Sequence, residues 1–293
     1  MIVNLPKHTL FMPTSSTGVL KMIWLGLALA FFTALGGCAS HSLNAEPPEE
    51  MVRVAEGPFV MGFEIENDHE WGDVDEGPVH EVHLDEYWID RYEVTSADFA
   101  RYLNGQEETG RLFETGPAVT IEKVDGRFQP RDGLENYPAN RMSWYGADGY
   151  CRSVGKRLPT EAEWEKAARG TDQRIFPWGN EFPDNKRVTF RRHFTELGFQ
   201  ALEPVDAMAS GASPYGLHHM AGNIWEWVDD WFDDDYYQHS PRQNPQGPET
   251  GISKVLRGGN WYYKAYYMRT TYRFNERPEK FNIWQGFRCA RSP

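Results

Sequence analysis

Residues 257–290, RGGNWYYKAYYMRTTYRFNERPEKFNIWQGFRCA, concentrate the side chains best suited to chemistry or recognition. Gly258-Gly259 lets the backbone turn sharply or approach another group closely. Tyrosines and tryptophans follow, interleaved with Lys264, Arg269, Arg273, Arg277 and Lys280, and Cys289 closes the segment. Such a stretch suits a core strand and loop, a binding wall or an active site. No cysteine lies between Cys151 and Cys289, so the stretch itself cannot supply a pair of thiolates. Residues 229–237 (DDWFDDDYY) read as a solvated acidic loop with its aromatics tucked inward. His80 and His83 tempt a metal reading, but an odd offset in a strand puts them on opposite faces. No HExxH, GxSxG, Walker loop or Rossmann fingerprint is present.

The elements that must position these residues begin after a leader. Lys7 and Lys21 precede an apolar run, residues 22–35, shorter than the roughly 20 residues that span a bilayer and suited to a signal-peptide core. Leu35-Gly36-Gly37-Cys38 resembles the bacterial lipobox, so residues 1–37 are expected to be removed and Cys38 lipidated. Ala39 after it resembles outer-membrane sorting, which predicts a lipid anchor facing the periplasm of a bacterial envelope. Residues 38–50 are polar and proline-bearing, as a tether is. Residues 51–293 then form one domain. The net charge is −13, and loss of Lys7 and Lys21 makes it more negative. Nucleic acid, which demands a basic face, is excluded as a partner. In an exported chain, the remaining pair, Cys151 and Cys289, is expected to be bridged rather than free.

Within the domain, residues 52–60 suggest a hairpin turning at Gly57-Pro58, and residues 79–89 alternate as a half-buried strand would. Residues 64–76 read as an acidic loop. Thr95 or Ser96 caps a first helix that ends at Asn104-Gly105. A further hairpin is expected near residues 119–128. Ser143 caps a second helix that carries Cys151. Thr160, with Glu163 three residues on, forms a capping box for a third helix ending at Gly170. Helices early and short irregular strands later make this an α+β domain with modest regular structure.

Four stretches resemble one family: residues 79–95 (VHEVHLDEYWIDRYEVT), 155–170 (GKRLPTEAEWEKAARG), 215–227 (YGLHHMAGNIWEW) and 286–290 (GFRCA) after Arg257-Gly258-Gly259. This combination is similar to the formylglycine-generating enzyme, or sulfatase-modifying factor, family, over nearly all of residues 51–293. The resemblance implies a C-type-lectin-like α+β fold with few regular elements, bound calcium, and a Cys151–Cys289 bridge. It implies calcium ligands at the Gly222 and Ile224 carbonyls and the Glu226 carboxylate, with the remaining ligand position falling on His219. A second calcium site would need an acid near Leu197, where only Glu196 stands close. The family's founding activity oxidises a sulfatase cysteine to formylglycine with oxygen and copper, the metal held by two cysteines shortly after the Gly-Gly. Soft thiolates select Cu(I). Here those places fall at about Tyr263 and Met268, and Asn260 stands where a serine is common. Copper is therefore not expected.

The resemblance also implies a groove for an extended peptide, with Asn260, Trp261, Tyr263, Met268, Arg269 and Trp284 as its wall. Three functions follow. The first is a lipid-anchored envelope protein that binds a protein or peptide partner or serves envelope assembly without cysteine oxidation. The second is a metal-dependent oxidase of different chemistry, as in siderophore maturation, using Tyr262, Tyr263, Tyr266, Tyr267 and Met268. The third is formylglycine generation itself.

Overall fold

Strand β4 (Tyr87–Asp90) joins the beginning of the domain to its end: β1 (Met51–Val54) pairs with one edge and β11 (Ala290–Arg291) with the other, both antiparallel. With both edges paired, all of β4 is buried. The structure, a computed structural model, describes residues 50–63 and 71–293, which fall in one compact unit, Ala45–Pro293. The expected leader, Cys38, the tether up to residue 49 and residues 64–70 of the acidic stretch lie outside the described residues.

The hairpin expected at residues 52–60 does not form. β2 (Gly57–Met61) pairs with β3 (His80–Leu84), while β1 goes to β4. The reason is visible at the corner. Lys166 Nζ donates to the carbonyls of Ala55 and Gly57 at 2.9 and 2.8 Å, holding the chain where it changes sheets. The single strand expected over residues 79–89 is likewise two, β3 and β4, broken at Asp85-Glu86.

The helices start where the sequence places their caps. Thr95 accepts from Asp98 N–H to open α1 (Ser96–Leu103), and Ser143 from Gly146 N–H to open α2 (Trp144–Ser153). Thr160 and Glu163 cap each other's backbone at the start of α3 (Glu161–Arg169), which Gly170 ends with φ 75°. Between α1 and α2, β5 (Ile121–Val124) and β6 (Arg127–Pro130) form the expected hairpin across Asp125-Gly126. Both turn residues have positive φ, the geometry that matches strand twist.

α3 departs from an ordinary amphipathic helix. Beyond its apolar face of Trp164, Ala167 and Ala168, its charged residues Glu161, Glu163, Glu165, Lys166 and Arg169 are buried as well. Against it lies a four-stranded sheet in the order β10 (Gln285–Gly286), β7 (Trp225–Trp231), β8 (Lys254–Arg257), β9 (Phe274–Glu276). The short α4 (Phe194–Leu197) sits in the irregular stretch before β7. The Cys151–Cys289 disulfide, expected from compartment and family alike, is formed with both cysteines buried. It ties α2 to the chain entering β11, spanning 138 residues. Trp225, Trp227, Phe99 and Phe287 pack in the same core as this bridge. A fully buried large apolar side chain contributes about 1.5–3 kcal/mol, so this core is a principal source of stability.

Candidate functional site

The site is assembled from α3 outward. Arg257, the last residue of β8, is fully buried and donates to Glu161 Oε1 at 3.0 Å and Glu165 Oε2 at 2.6 Å. Its guanidinium also holds the Thr270 and Thr271 carbonyls. Arg273 returns to Glu161 with two bonds of 2.8 and 3.0 Å. These charges are desolvated but paired, and burial of one without the other would be costly. Arg257 and Arg273 thereby fix both ends of the loop between β8 and β9.

That loop turns at once. Gly258 and Gly259 have φ of 97° and 77°, and a Cβ on Gly259 would lie 2.5 Å from Met268 Cε and 2.7 Å from the Tyr267 carbonyl. Glycine is required there. Asn260 follows, its Oδ1 accepting from Tyr262 and Tyr263 N–H at 2.9 and 3.1 Å, an Asx turn that sets the direction of the aromatic run. Arg191 N–H donates to the Tyr263 carbonyl and Arg192 N–H to the Trp261 carbonyl, at 3.0 and 2.7 Å. The basic run Arg191-Arg192-His193 is thus laid beside the aromatic one.

The result is a set of neighbouring recesses sharing Arg191, His193 and Tyr262. The largest two, of about 440 and 540 Å³, lie against Tyr263, Lys264 and Tyr267 and against Asn185, Phe190 and Leu197 respectively. An apolar recess of about 190 Å³ is lined by Trp261, Ile283 and Trp284. Tyr263 and Tyr267 pack with ring centroids 4.6 Å apart. Burial, and then the neighbouring phenols of Tyr267 and Tyr262, push the Tyr263 hydroxyl above the usual tyrosine range.

Of the six residues expected to form the wall, Trp261, Tyr263 and Trp284 line these recesses. The other three lie elsewhere. Met268 is fully buried against Gly259. Arg269 is buried and closes both terminal nitrogens on Glu76 at 2.6 Å each. Asn260 is buried in the turn that it makes. Arg269 and the Asn260 Oδ1 are thus committed to internal partners, Met268 packs in the core, and the Asn260 Nδ2 is buried without a partner among the described residues. Sequence reasoning missed Arg191, His193, Tyr262 and Lys264 as a lining. An adjacent Arg-Arg-His in so acidic a chain was the available signal.

Tyr263 and Met268 do not fit a copper thiolate centre: one offers a phenol, the other a buried thioether. The two cysteines among the described residues are joined to each other. The set expected for calcium fits poorly as well. Both oxygens of Glu226 receive Arg288 at 2.7 Å, and Trp164 Nε1–H adds a bond of 2.8 Å to one of them. His219 donates Nε2–H to the Pro204 carbonyl, and its Nδ1 lone pair has no partner among the described residues. Calcium prefers carboxylate and carbonyl oxygens to such an imidazole. Burial lowers the His219 pKa to about 3, so the ring is neutral. Beside it Asn223 donates to Glu93, whose carboxyl is pushed well above its usual range by burial and then by Glu226. Among the described residues no cluster of three or more His, Cys, Asp or Glu is arranged to hold a metal ion.

An α+β domain with short strands, a buried disulfide and a groove on the loop after Gly-Gly defines a recognisable class. The model of the sulfatase-modifying factor enzyme 1-like domain matches residues 39–293, and the chain belongs to that family. It is 34% identical to the formylglycine-generating enzyme of Thermomonospora curvata, over 83% of this chain and 93% of that protein. It is 36% identical to the serine/threonine-protein kinase pkn1 of Chlamydia caviae over 83% of this chain, but spans only 38% of that longer protein. Among solved structures, PvdO from Pseudomonas aeruginosa superposes with a TM-score of 0.68 at 28% identity, covering 83% of this chain and 94% of that one.

Proposed function

We propose that this chain is a lipid-anchored protein of the bacterial cell envelope, held at the outer membrane through Cys38. Its groove binds an extended peptide segment of a partner, in recognition or envelope assembly, and does not oxidise cysteine. One observation carries the reading: the two positions after Gly258-Gly259 where the family's copper ligands fall are Tyr263 and Met268. What remains of the family's apparatus is the scaffold and the groove, with Tyr263 and Trp284 half-buried along it and Trp261 buried behind them. Rigid aromatic side chains supply contact area at low entropy cost, which suits peptide recognition.

The test is direct. The full chain, supplied with Cu(I) and a cysteine-containing sulfatase peptide, is expected to consume no oxygen and to form no aldehyde. Turnover under those conditions would restore formylglycine generation and defeat the proposal. Anchoring is tested separately: Cys38→Ala is expected to abolish lipid labelling and release the protein from the membrane fraction.

A second reading keeps redox chemistry of another kind. The packed phenols of Tyr263, Tyr266, Tyr267 and Tyr272 favour it. A transition metal at stoichiometric level in the purified protein would bring it forward, and its loss on Tyr263→Phe would place it in the groove.

A further inference from the structure

The sign of the charge along the groove narrows what it takes. The chain has 43 Asp and Glu against 30 Lys and Arg, yet no carboxylate lines any of the three neighbouring recesses. Their charged lining is Arg191, Arg192 and Lys264, with His193 between. Arg192 is already neutralised by Glu203 at 2.7 Å. Arg191 and Lys264 are exposed, and neither has a carboxylate partner among the described residues. The cavity lined by Glu50, Asp90, Asp98 and Asp206 carries the opposite character, so the two signs are separated on the surface.

Position as well as charge is controlled. Arg191 adopts φ 52° and its N–H is held by the Tyr263 carbonyl, which fixes the start of its side chain beside the tyrosines. Lys264 follows Tyr263 directly, so one free cation comes from each of the two paired segments. Next to them, through the shared His193 and Tyr262, opens the apolar recess of Trp261, Ile283 and Trp284. A cationic pair beside an apolar slot is complementary to a carboxylate next to a hydrophobic side chain. Interfacial charges of this kind choose partners and speed encounter, and their effect falls with salt.

We infer that the occupant is an acidic peptide segment, one apolar side chain entering the Trp261–Trp284 recess while flanking carboxylates meet Arg191 and Lys264. This inference rests on the peptide-binding reading above and specifies the chemistry of the peptide. The test uses three labelled peptides of equal length with one central Trp, flanked by Glu, by Gln or by Lys, titrated against the full chain in detergent. Binding is expected to be tightest for the Glu peptide and weakest for the Lys peptide, with a spread of at least about tenfold that narrows as salt is raised. Arg191→Gln with Lys264→Gln is expected to erase that spread while leaving the thermal midpoint unchanged, since both side chains are exposed. Tyr262→Ala is expected to weaken all three peptides together. A Lys peptide that binds as well as the Glu peptide overturns the acidic specificity and leaves peptide binding standing. Glu-peptide binding that ignores the double substitution overturns the placement. Failure of all three peptides to bind overturns the peptide-binding reading and this inference with it.

Discussion

Arg269 grips Glu76 through both terminal guanidinium nitrogens, across 193 residues of chain and out of contact with water. The pair clips the loop between β8 and β9 to the turn before β3, with Tyr266 against the guanidinium face at 4.6 Å. Removing one partner of such a buried pair leaves an uncompensated charge, at a cost of about 3–5 kcal/mol. Glu76→Gln and Arg269→Met are each expected to lose about that much in denaturant titrations. The double substitution Glu76→Gln with Arg269→Met should lose much less than the two summed. A sum that is simply additive would mean that the ion pair does not hold this loop.

Gly259→Ala tests the turn. Its Cβ would meet a flexible methyl group and a fixed carbonyl, at a positive φ. A loss of about 1–3 kcal/mol is expected from the overpacking alone. Adding Met268→Ala relieves the methyl contact but leaves the Tyr267 carbonyl and opens a cavity at a fully buried site, itself worth about 2–5 kcal/mol; in thermal denaturation the double variant should lose less than the two single substitutions summed.

The buried His219 makes the domain sensitive to acid. Its folded pKa of about 3 lies below the ordinary value of 6.5, chiefly through burial. Its contribution is therefore fully present above the unfolded value and is lost as pH falls from there toward the folded one. The slope is up to about 1.4 kcal/mol per pH unit. His219→Gln can still donate to Pro204 and should flatten the stability profile over that window. Asp75 acts in the opposite sense: burial raises it to about 6, so its contribution is present below the usual aspartate range and fades as pH rises through that value. Asp75→Asn should remove that second trend, read from denaturation midpoints across the same series.

The Cys151–Cys289 bridge closes 138 residues and is inaccessible to solvent. A double alanine substitution is expected to cost about 2–5 kcal/mol. Reductant should leave the folded protein oxidised and act only near the unfolding midpoint, a difference that free-thiol labelling detects.

The sequence by itself determined the local features and the family. Ser143 and Thr160 capped their helices as read, and of the two candidates Thr95 and Ser96 it is Thr95 that caps the first, because a cap depends on backbone amides two or three residues away. Asp125-Gly126 made its hairpin for the same reason. The bridge was legible because the two cysteines of residues 51–293 have one way to pair and the family resemblance implied that pairing. Only the tertiary structure decided that β1 and β2 part company at Lys166, that Glu226 belongs to Arg288, and that Arg269 faces Glu76 rather than a ligand. It also brought Arg191 beside Tyr263. Each of these is a choice of partner among many residues of like charge or polarity, separated by long stretches of chain. Local propensity carries no information about such a choice. It is made by which pairing leaves the fewest buried charges and hydrogen-bonding groups alone once the core has closed.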